Sequence, residues 1–192
     1  MCRLGFRGFD AAYCYGGYEG TLRELIHLFK YGKIATLASP LGSRLALALP
    51  REQRFDCIVP MPMHWLRRWQ RGFNQADLLA RELSRRSAVP VVQAVKRVKA
   101  TPPQAGLSNA KRRTNLSGAF AVRRKELLQG RRVLLVDDVM TTGATAAACA
   151  TVIKKAGASH VSVITLARVD RRWNSLAGPA LRRDPEILVG AS

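Results

Sequence analysis

Apolar residues along the chain follow two different periods, and these periods predict strands and helices in alternation. Short apolar runs predict buried strands, and apolar residues spaced by three or four positions predict amphipathic helices. The predicted strands are 12–18, 56–60, 89–92, 132–138 and 160–167, and the predicted helices are 21–32, 39–49, 73–86 and 142–156. Strands that alternate with helices predict an α/β fold with a mainly parallel sheet that is covered by helices on both faces.

Two of the predicted helices, 21–32 and 73–86, also have a pattern that predicts which of their residues are buried. Thr21 and Glu24 have the spacing of a capping box, so the first helix is expected to begin at Thr21. Lys30 in the last turn and Gly32 after it are typical of a helix C-terminus. Its expected buried face is Leu22, Leu25, Ile26, Leu28 and Phe29, and that of the 73–86 helix is Phe73, Ala76, Leu79, Ala80 and Leu83.

The chain divides into three segments by its patterning. Residues 1–20 form an N-terminal remnant with the first strand, and residues 21–170 carry the alternating elements of one domain. Residues 171–192 have poor periodicity and are expected to be a loosely ordered tail. Within the domain, the basic stretch 101–120 is polar and contains proline, which favours a long loop with a helical turn near 108–115.

Composition excludes several classes of protein. The 192 residues contain no apolar run near 18 residues, so no membrane insertion is expected. The N-terminus lacks the apolar core of a signal peptide, which favours a cytoplasmic location. The 4 cysteines are scattered, so neither a disulfide framework nor a complete zinc site is expected. Cys57 and Cys149 have apolar neighbours and are expected in the core.

The charge narrows the range of partners. The 32 Lys and Arg residues outnumber the 13 Asp and Glu residues and leave a formal net charge of +19. A small domain that is this basic attracts nucleic acid, polyphosphate or phosphorylated substrates. The alternative is an arginine-rich composition that only reflects the base composition of the genome, and charge by itself does not separate the two.

An acid pair followed by a hydroxyl-rich loop is the strongest chemical signal in the chain. Asp137 and Asp138 follow the apolar run of the 132–138 strand, and they point to opposite faces if the strand continues through them. The loop then leads into a helix whose N-terminal N–H groups suit a phosphate. The loop residues are Thr141, Thr142, Gly143, Ala144 and Thr145. The acids can accept hydrogen bonds from two ribose hydroxyls or hold Mg²⁺ through water. The alternative is a turn whose polar residues only cap the helix.

A second block follows the 56–60 strand. Pro60 and Pro62 fix a rigid turn, and basic residues interleaved with tryptophans come after it. Trp65, Arg67, Arg68 and Trp69 are candidates for stacking on bases and pairing with phosphates, and Arg71 is a candidate for binding pyrophosphate. The alternative is a helical turn that packs both tryptophans on the core. His64 is expected to be structural rather than a general base.

The third block is the basic loop. Beside a pyrophosphate it can close as a lid, with Lys111, Arg112 or Arg113 neutralising the leaving group. The alternative is a solvated basic loop without a function of its own.

The loop around the acid pair resembles a known ligand site. The run Val133–Thr145 is similar to the phosphoribosyl pyrophosphate (PRPP) loop of type I phosphoribosyltransferases. The resemblance implies that fold for this chain, with Asp137 and Asp138 at the ribose hydroxyls. It also implies that the amides and hydroxyls of Thr141, Thr142, Gly143, Ala144 and Thr145 hold the 5′-phosphate, and that Mg²⁺ accompanies PRPP.

Four blocks in order resemble one branch of that superfamily. They lie within 18–32, 59–75, 104–120 and 133–145, and together they are similar to the ComF family. Members look like phosphoribosyltransferases and are linked to natural transformation, so the resemblance implies DNA uptake, single-stranded DNA as a ligand and a competence helicase as a partner. Members usually carry a four-cysteine zinc ribbon ahead of the domain, of which only Cys2 has a match here, so zinc is not expected.

Two functions of different classes are consistent with these signals. The favoured one is a ComF-like protein that binds PRPP with Mg²⁺ and single-stranded DNA, because the charge, the Trp/Arg block and the family point to it. The alternative is an active phosphoribosyltransferase of nucleotide metabolism that releases pyrophosphate from PRPP. No acceptor pocket or catalytic residue can be named from the sequence.

Overall fold

Four parallel strands form the central sheet of the computed structural model, which describes residues 8–99 and 118–169. In chain order the strands of this sheet are β1 (Ala11–Gly17), β2 (Cys57–Pro60), β5 (Arg132–Met140) and β6 (His160–Arg168). Their order across the sheet is β1-β6-β5-β2, and every neighbouring pair is parallel. The β3 (Val95–Arg97) and β4 (Phe120–Val122) strands form a separate antiparallel pair.

Helices cover the two faces of the sheet unequally. The helices are α1 (Gly20–Tyr31), α2 (Ala38–Leu47), α3 (Trp65–Arg71), α4 (Gln75–Ser87) and α5 (Ala144–Lys155), with short 3₁₀ turns at Ala35–Leu37 and Lys125–Leu127. On one face α1, α2 and α4 pack against the side chains of Leu134 and Val136. On the other face α5 and the β3–β4 pair pack against those of Val133 and Leu135. The alternation along β5 therefore decides which layer each of its side chains enters.

The structure confirms the predicted α/β fold and most of the predicted elements. The strands expected at 12–18, 56–60, 132–138 and 160–167 and all four expected helices are present within a few residues of the predicted bounds. Cys57 and Cys149 are buried, as expected. Among the described residues no helix is long and apolar enough to span a membrane, and the longest, α4, has 13 residues.

Two local predictions were wrong. The 89–92 run makes only one bridge, from Val91 to Ile58, because Pro90 has no N–H to donate to a ladder. The α1 helix begins at Gly20 with Glu19 as its N-cap and no side-chain cap, so the capping box at Thr21 does not form. Gly20 adopts a φ of 50°, which turns the chain into the helix one residue early.

The predicted buried face of α1 and the predicted loop also need correction. Ile26 and Phe29 are buried, but Leu28 is exposed because it lies off the stripe that faces the sheet. The end of the 101–120 loop is ordered, since Phe120 begins β4. The rest of that loop, including its expected helical turn, and the 171–192 tail lie outside the described residues.

Candidate functional site

A cleft of about 180 Å³ lies where β2 and β5 end. Residues from seven parts of the fold line it, namely Lys30, Met61, Pro62, Met63, Arg67, Arg71, Asn74, Gln75, Ala76, Arg97, Asp137, Asp138 and Thr145. The carboxyl ends of parallel strands are the usual ligand-binding edge of such sheets. The cleft is smaller than the roughly 300–1,000 Å³ of many small-molecule pockets, so a ligand of PRPP size would extend from it onto the neighbouring loop.

The two acids of β5 occupy opposite faces of the strand, as predicted for a strand that continues through them. Asp138 lies on the α1 face, where its Oδ1 is 3.1 Å from Nζ of Lys30. Asp137 lies on the other face, which α5 and β3 cover, and it interacts electrostatically with Arg97. Its Oδ1 accepts a hydrogen bond of 2.9 Å from the Asp138 amide. A cation therefore stands near each acid, and the two cations come from different elements.

Burial and mutual repulsion set the protonation of this acid pair. Burial and the Asp138 charge raise the pKa of Asp137 to about 7, although Lys30 and Arg97 act in the opposite direction. Burial alone would lower the pKa of Lys30, but the charges of Asp138 and Asp137 outweigh it, so its pKa lies above the usual value. The ligand-free pair therefore holds less than two negative charges near neutral pH.

The loop after the acids turns sharply into α5. Gly143 adopts a φ of 73°, in the left-handed region that favours glycine, and it is the N-cap of α5 without any side-chain cap. The Thr142 hydroxyl accepts a 3.4 Å hydrogen bond from the Ala144 amide. Thr145 lines the cleft, whereas Thr141 is exposed beside it. The helix N-terminus is thus presented next to the acid pair, which suits an anionic group.

The turn after β2 is held by two side-chain caps. Nδ2 of Asn74 donates a 3.1 Å hydrogen bond to the Met61 carbonyl, and its Oδ1 caps α4 by accepting from the Ala76 amide. His64 is buried and its Nδ1 caps α3 by accepting from the Leu66 amide at 3.4 Å. The structural role expected for His64 is therefore observed. The segment from Met61 to Asn74, which includes Arg67 and Arg71, is held by these side-chain hydrogen bonds near both of its ends.

Helix α3 presents Arg67 and Arg71 to the cleft, whereas its tryptophans do not line it. Arg67 and Arg71, four residues apart, both line the cleft. Trp65 and Trp69 point away from it and are 68% and 83% exposed, and Arg68 is also exposed. No residue of α3 is buried. The alternative in which both tryptophans pack on the core is therefore excluded, and the helix offers cations to the cleft and aromatic rings to solvent.

Sequence reasoning missed three residues that line the cleft. Lys30 was expected only as a basic residue of a helix end, Arg97 was not singled out, and Asn74 was not assigned to the turn. No local sequence pattern distinguishes Lys30 or Arg97 as a site residue, because each approaches the acid pair from a distant part of the chain. The lid candidates Lys111, Arg112 and Arg113 lie outside the described residues.

The donor set of the cleft fits PRPP and Mg²⁺ by its chemistry. Carboxylate oxygens are the acceptors that ribose hydroxyls require and the ligands that Mg²⁺ prefers. Arg67, Arg71 and Arg97 line the same cleft and supply the donor forks that suit a pyrophosphate. Lys30 already neutralises Asp138, so a metal cation bound at the acid pair would contact Asp137 more readily than Asp138.

The chain is similar in sequence to a known protein family and to several known proteins. A family model described as the phosphoribosyl transferase domain matches residues 70–183. Competence protein F of Haemophilus influenzae is 40% identical over 161 residues, which cover 80% of this chain and 70% of that protein. The DNA utilization protein YhgH of Escherichia coli K12 is 40% identical over 79% of this chain and 69% of its own. Competence protein ComFC of Bacillus subtilis is 29% identical over 79% of this chain and 61% of its own.

Proposed function

The chain belongs to the ComF family of proteins with a phosphoribosyl transferase domain, and we propose that it binds PRPP with Mg²⁺ in the cleft and single-stranded DNA on the outer face of α3. The observation that carries the proposal is the lining of the cleft, where an acid pair and three arginines meet beside the N-terminus of α5. A ligand that fits must offer hydroxyl donors and several negative charges together. PRPP has both.

The two ends of such a ligand have different partners in the cleft. Asp137 and Asp138 would accept hydrogen bonds from the vicinal hydroxyls of the ribose. The loop 141–145 and the first turn of α5 would hold the 5′-phosphate. Arg71, Arg67 and Arg97 would bind the pyrophosphate, since guanidinium groups pair with phosphate through two parallel hydrogen bonds. Mg²⁺, when bound, would reduce the charge repulsion between PRPP and the acids.

The outer face of α3 has the composition of a single-strand binding surface. Trp65 and Trp69 present exposed rings, and Arg68 adds a cation on the same short helix. Stacking of bases on exposed aromatic rings combined with phosphate pairing is a sequence-tolerant way to bind a single strand. The net charge of +19 supplies the long-range attraction. Relatives named for competence and DNA utilization favour a role in DNA uptake, where a competence helicase would be a partner.

Two binding measurements test the proposal. PRPP with Mg²⁺ should raise the melting temperature of the protein, and the Asp137→Asn/Asp138→Asn double variant should abolish that rise. Glu52→Gln, an exposed acid at the other end of the sheet, is the matched control and should keep the rise. No shift in the wild-type protein would remove PRPP from the proposal. A fluorescent single-stranded oligonucleotide, titrated over a range of salt concentrations, tests the DNA surface in the same preparation.

Catalysis is the second candidate function, and the position of the arginines favours it. Arg71 and Arg97 line the cleft that holds the acid pair, so they can stabilise the charge that develops on pyrophosphate as its bond to the anomeric carbon breaks. The electron pair of that bond leaves with pyrophosphate, and an acceptor forms the new bond to the same carbon. A pyrophosphate-release assay against a panel of nucleobases decides between turnover and binding alone.

A further inference from the structure

The exposed ring of Tyr31 is in contact with an arginine of the cleft. Tyr31 is the last residue of α1, and its side chain is 60% exposed. The guanidinium carbon of Arg71 lies 5.2 Å from the centre of the Tyr31 ring, which is the geometry of a cation–π contact. The ring of His27 lies 4.7 Å away, tilted by 43°. Tyr31 therefore has neighbours along α1 and along α3, although most of it faces solvent.

Arg71 faces the cleft and the Tyr31 ring at the same time. Its Nη1 donates a 3.3 Å hydrogen bond to Oε1 of Gln75, whose Nε2 donates to the Phe29 carbonyl at 3.4 Å. Arg71 and Gln75 both line the cleft, and Gln75 is buried. Gln75 is thus a fixed support, whereas the guanidinium of Arg71 has two possible ligands within reach. One is the aromatic ring, and the other is an anion in the cleft.

We propose that Tyr31 is a third base-stacking residue of the DNA surface and that Arg71 covers one face of its ring until a pyrophosphate group in the cleft draws that arginine away from the ring. The proposal rests on the proposed function, since it needs both PRPP and single-stranded DNA as ligands. A charge-assisted pair between guanidinium and phosphate is stronger than a cation–π contact at an exposed site. When Arg71 turns to the pyrophosphate, the ring becomes available to a base of the DNA that already contacts Trp65 and Trp69.

The mechanism predicts the sign of the coupling between the two ligands. PRPP removes a competitor from the Tyr31 ring, so it should tighten DNA binding, and by thermodynamic reciprocity DNA should tighten PRPP binding by the same factor. Repulsion between the phosphates of the two ligands acts in the opposite direction. Salt screens that repulsion, with a Debye length of about 8 Å at physiological ionic strength, so the coupling should grow as salt is raised.

The coupling is measured by titrating the full chain with a fluorescein-labelled oligothymidine in 0.15 M salt, with and without saturating PRPP and Mg²⁺. The wild-type protein should bind about fivefold more tightly with PRPP, at the lower end of the range for coupled sites. Ribose 5-phosphate, which lacks the pyrophosphate, should give no gain. Tyr31→Ala should lose the gain and Tyr31→Phe should keep it, because only the ring is needed.

Tyr15→Ala is the matched control, because Tyr15 is an exposed tyrosine on β1, at the sheet edge away from α3. It should behave as the wild-type protein does. Calorimetric titration should show that PRPP binds the protein–DNA complex more tightly than it binds the free protein, by the same factor as PRPP tightens DNA binding. A gain that survives Tyr31→Ala, or weaker DNA binding with PRPP, would overturn the proposal. Independent binding of both ligands would overturn it and leave the proposed function intact, whereas failure of either ligand to bind would remove both.

Discussion

Lys30 and Asp138 form a largely buried ion pair that ties the last turn of α1 to the acid pair of β5, with Nζ of Lys30 3.1 Å from Oδ1 of Asp138. Their side chains are 16% and 12% exposed. Lys30 neutralises Asp138 within the fold, and the neighbouring Asp137 has no such partner at hydrogen-bonding distance among the described residues. The two acids therefore differ in the folded protein. Asp138 is paired with Lys30, whereas the pKa of Asp137 is raised.

Replacing Lys30 by methionine should destabilise the protein, because it leaves Asp138 as an unpaired buried charge. Removal of one partner of a buried pair typically costs about 3–5 kcal/mol. Urea unfolding at pH 7 measures the loss. Lys33→Met, at an exposed position two residues beyond α1, is the control and should change the free energy of unfolding by less than about 0.5 kcal/mol. The additional change Asp138→Asn should recover part of the loss, and equal stability of the two single Lys variants would contradict the role of the pair.

Replacing Asp137 by asparagine should stabilise the ligand-free protein above neutral pH. The pKa of Asp137 is raised to about 7 in the folded protein, against about 4 in the unfolded chain. Between these values the folded state binds more protons, so the free energy of unfolding falls as pH rises from 4 to 7. Asp137→Asn removes this group, and the variant should exceed the wild type by about 1–3 kcal/mol at pH 8.

Melting curves at pH 5 and pH 8 measure this difference. The advantage of Asp137→Asn should be largest at pH 8 and about one third as large at pH 5, because most of the loss in the wild type accumulates between pH 5 and pH 7. An advantage of the same size at both pH values would show that the gain comes from packing and not from titration. The same variant should bind PRPP more weakly, which would make Asp137 a residue that costs stability and serves ligand binding.

The structure confirms the predictions that rested on local periodicity. The β5, β6, α4 and α5 elements were predicted because their apolar residues repeat with one clear period. The opposite directions of Asp137 and Asp138 followed from strand alternation alone. The acid pair and its loop could therefore be located from the sequence, because their residues are consecutive in the chain.

The parts that the sequence did not predict depend on contacts between distant residues. The β3 and β4 strands have 3 residues each and pair across a long separation, so neither has a periodic signal of its own. The ion pair between Lys30 and Asp138 joins α1 to β5, which are far apart in the sequence, so no local pattern predicts it. The exposure of Trp65 and Trp69 could not be decided either, because a spacing of four residues puts both rings on one side of α3 without saying which side faces the core.

Truncating the tryptophans should weaken DNA binding more than it affects the fold. Trp65→Ala and Trp69→Ala should each cost about 1–3 kcal/mol of binding free energy, which is the usual value of one base stacked on an aromatic ring. Because both rings are exposed, the melting temperature should stay close to that of the wild type. Fluorescence anisotropy with a labelled oligonucleotide measures the affinity. Unchanged affinity in both variants would show that single-stranded DNA does not bind on α3.

Removing Arg68 should reduce the salt dependence of DNA binding. For single strands the slope of log K against log salt falls by about 0.7 for each phosphate contact that is lost. Arg68→Ala should therefore show a shallower slope than the wild type. Arg86→Ala removes the same charge from an exposed position at the far end of α4 and should keep the slope. Equal slopes in the two variants would mean that only net charge matters.

Replacing Arg97 by glutamine should weaken PRPP binding about tenfold or more, which corresponds to the loss of one charge-assisted hydrogen bond. Arg97 lines the cleft from β3 and also interacts electrostatically with Asp137. Arg123→Gln, an exposed arginine just after β4, removes the same charge outside the cleft and should bind PRPP as the wild type does. Calorimetric titration with PRPP and Mg²⁺ measures both, and equal affinities would exclude Arg97 from the site.

Hydrogen exchange of the full chain, with and without saturating PRPP and Mg²⁺, tests most directly whether the cleft is the ligand site. We expect slower exchange of the amides in 141–146, where the 5′-phosphate would contact the loop and the first turn of α5. We also expect slower exchange in 64–72, where Arg67 and Arg71 would contact the pyrophosphate. Exchange that is unchanged in both segments, or slowed only at the opposite end of the sheet, would contradict it.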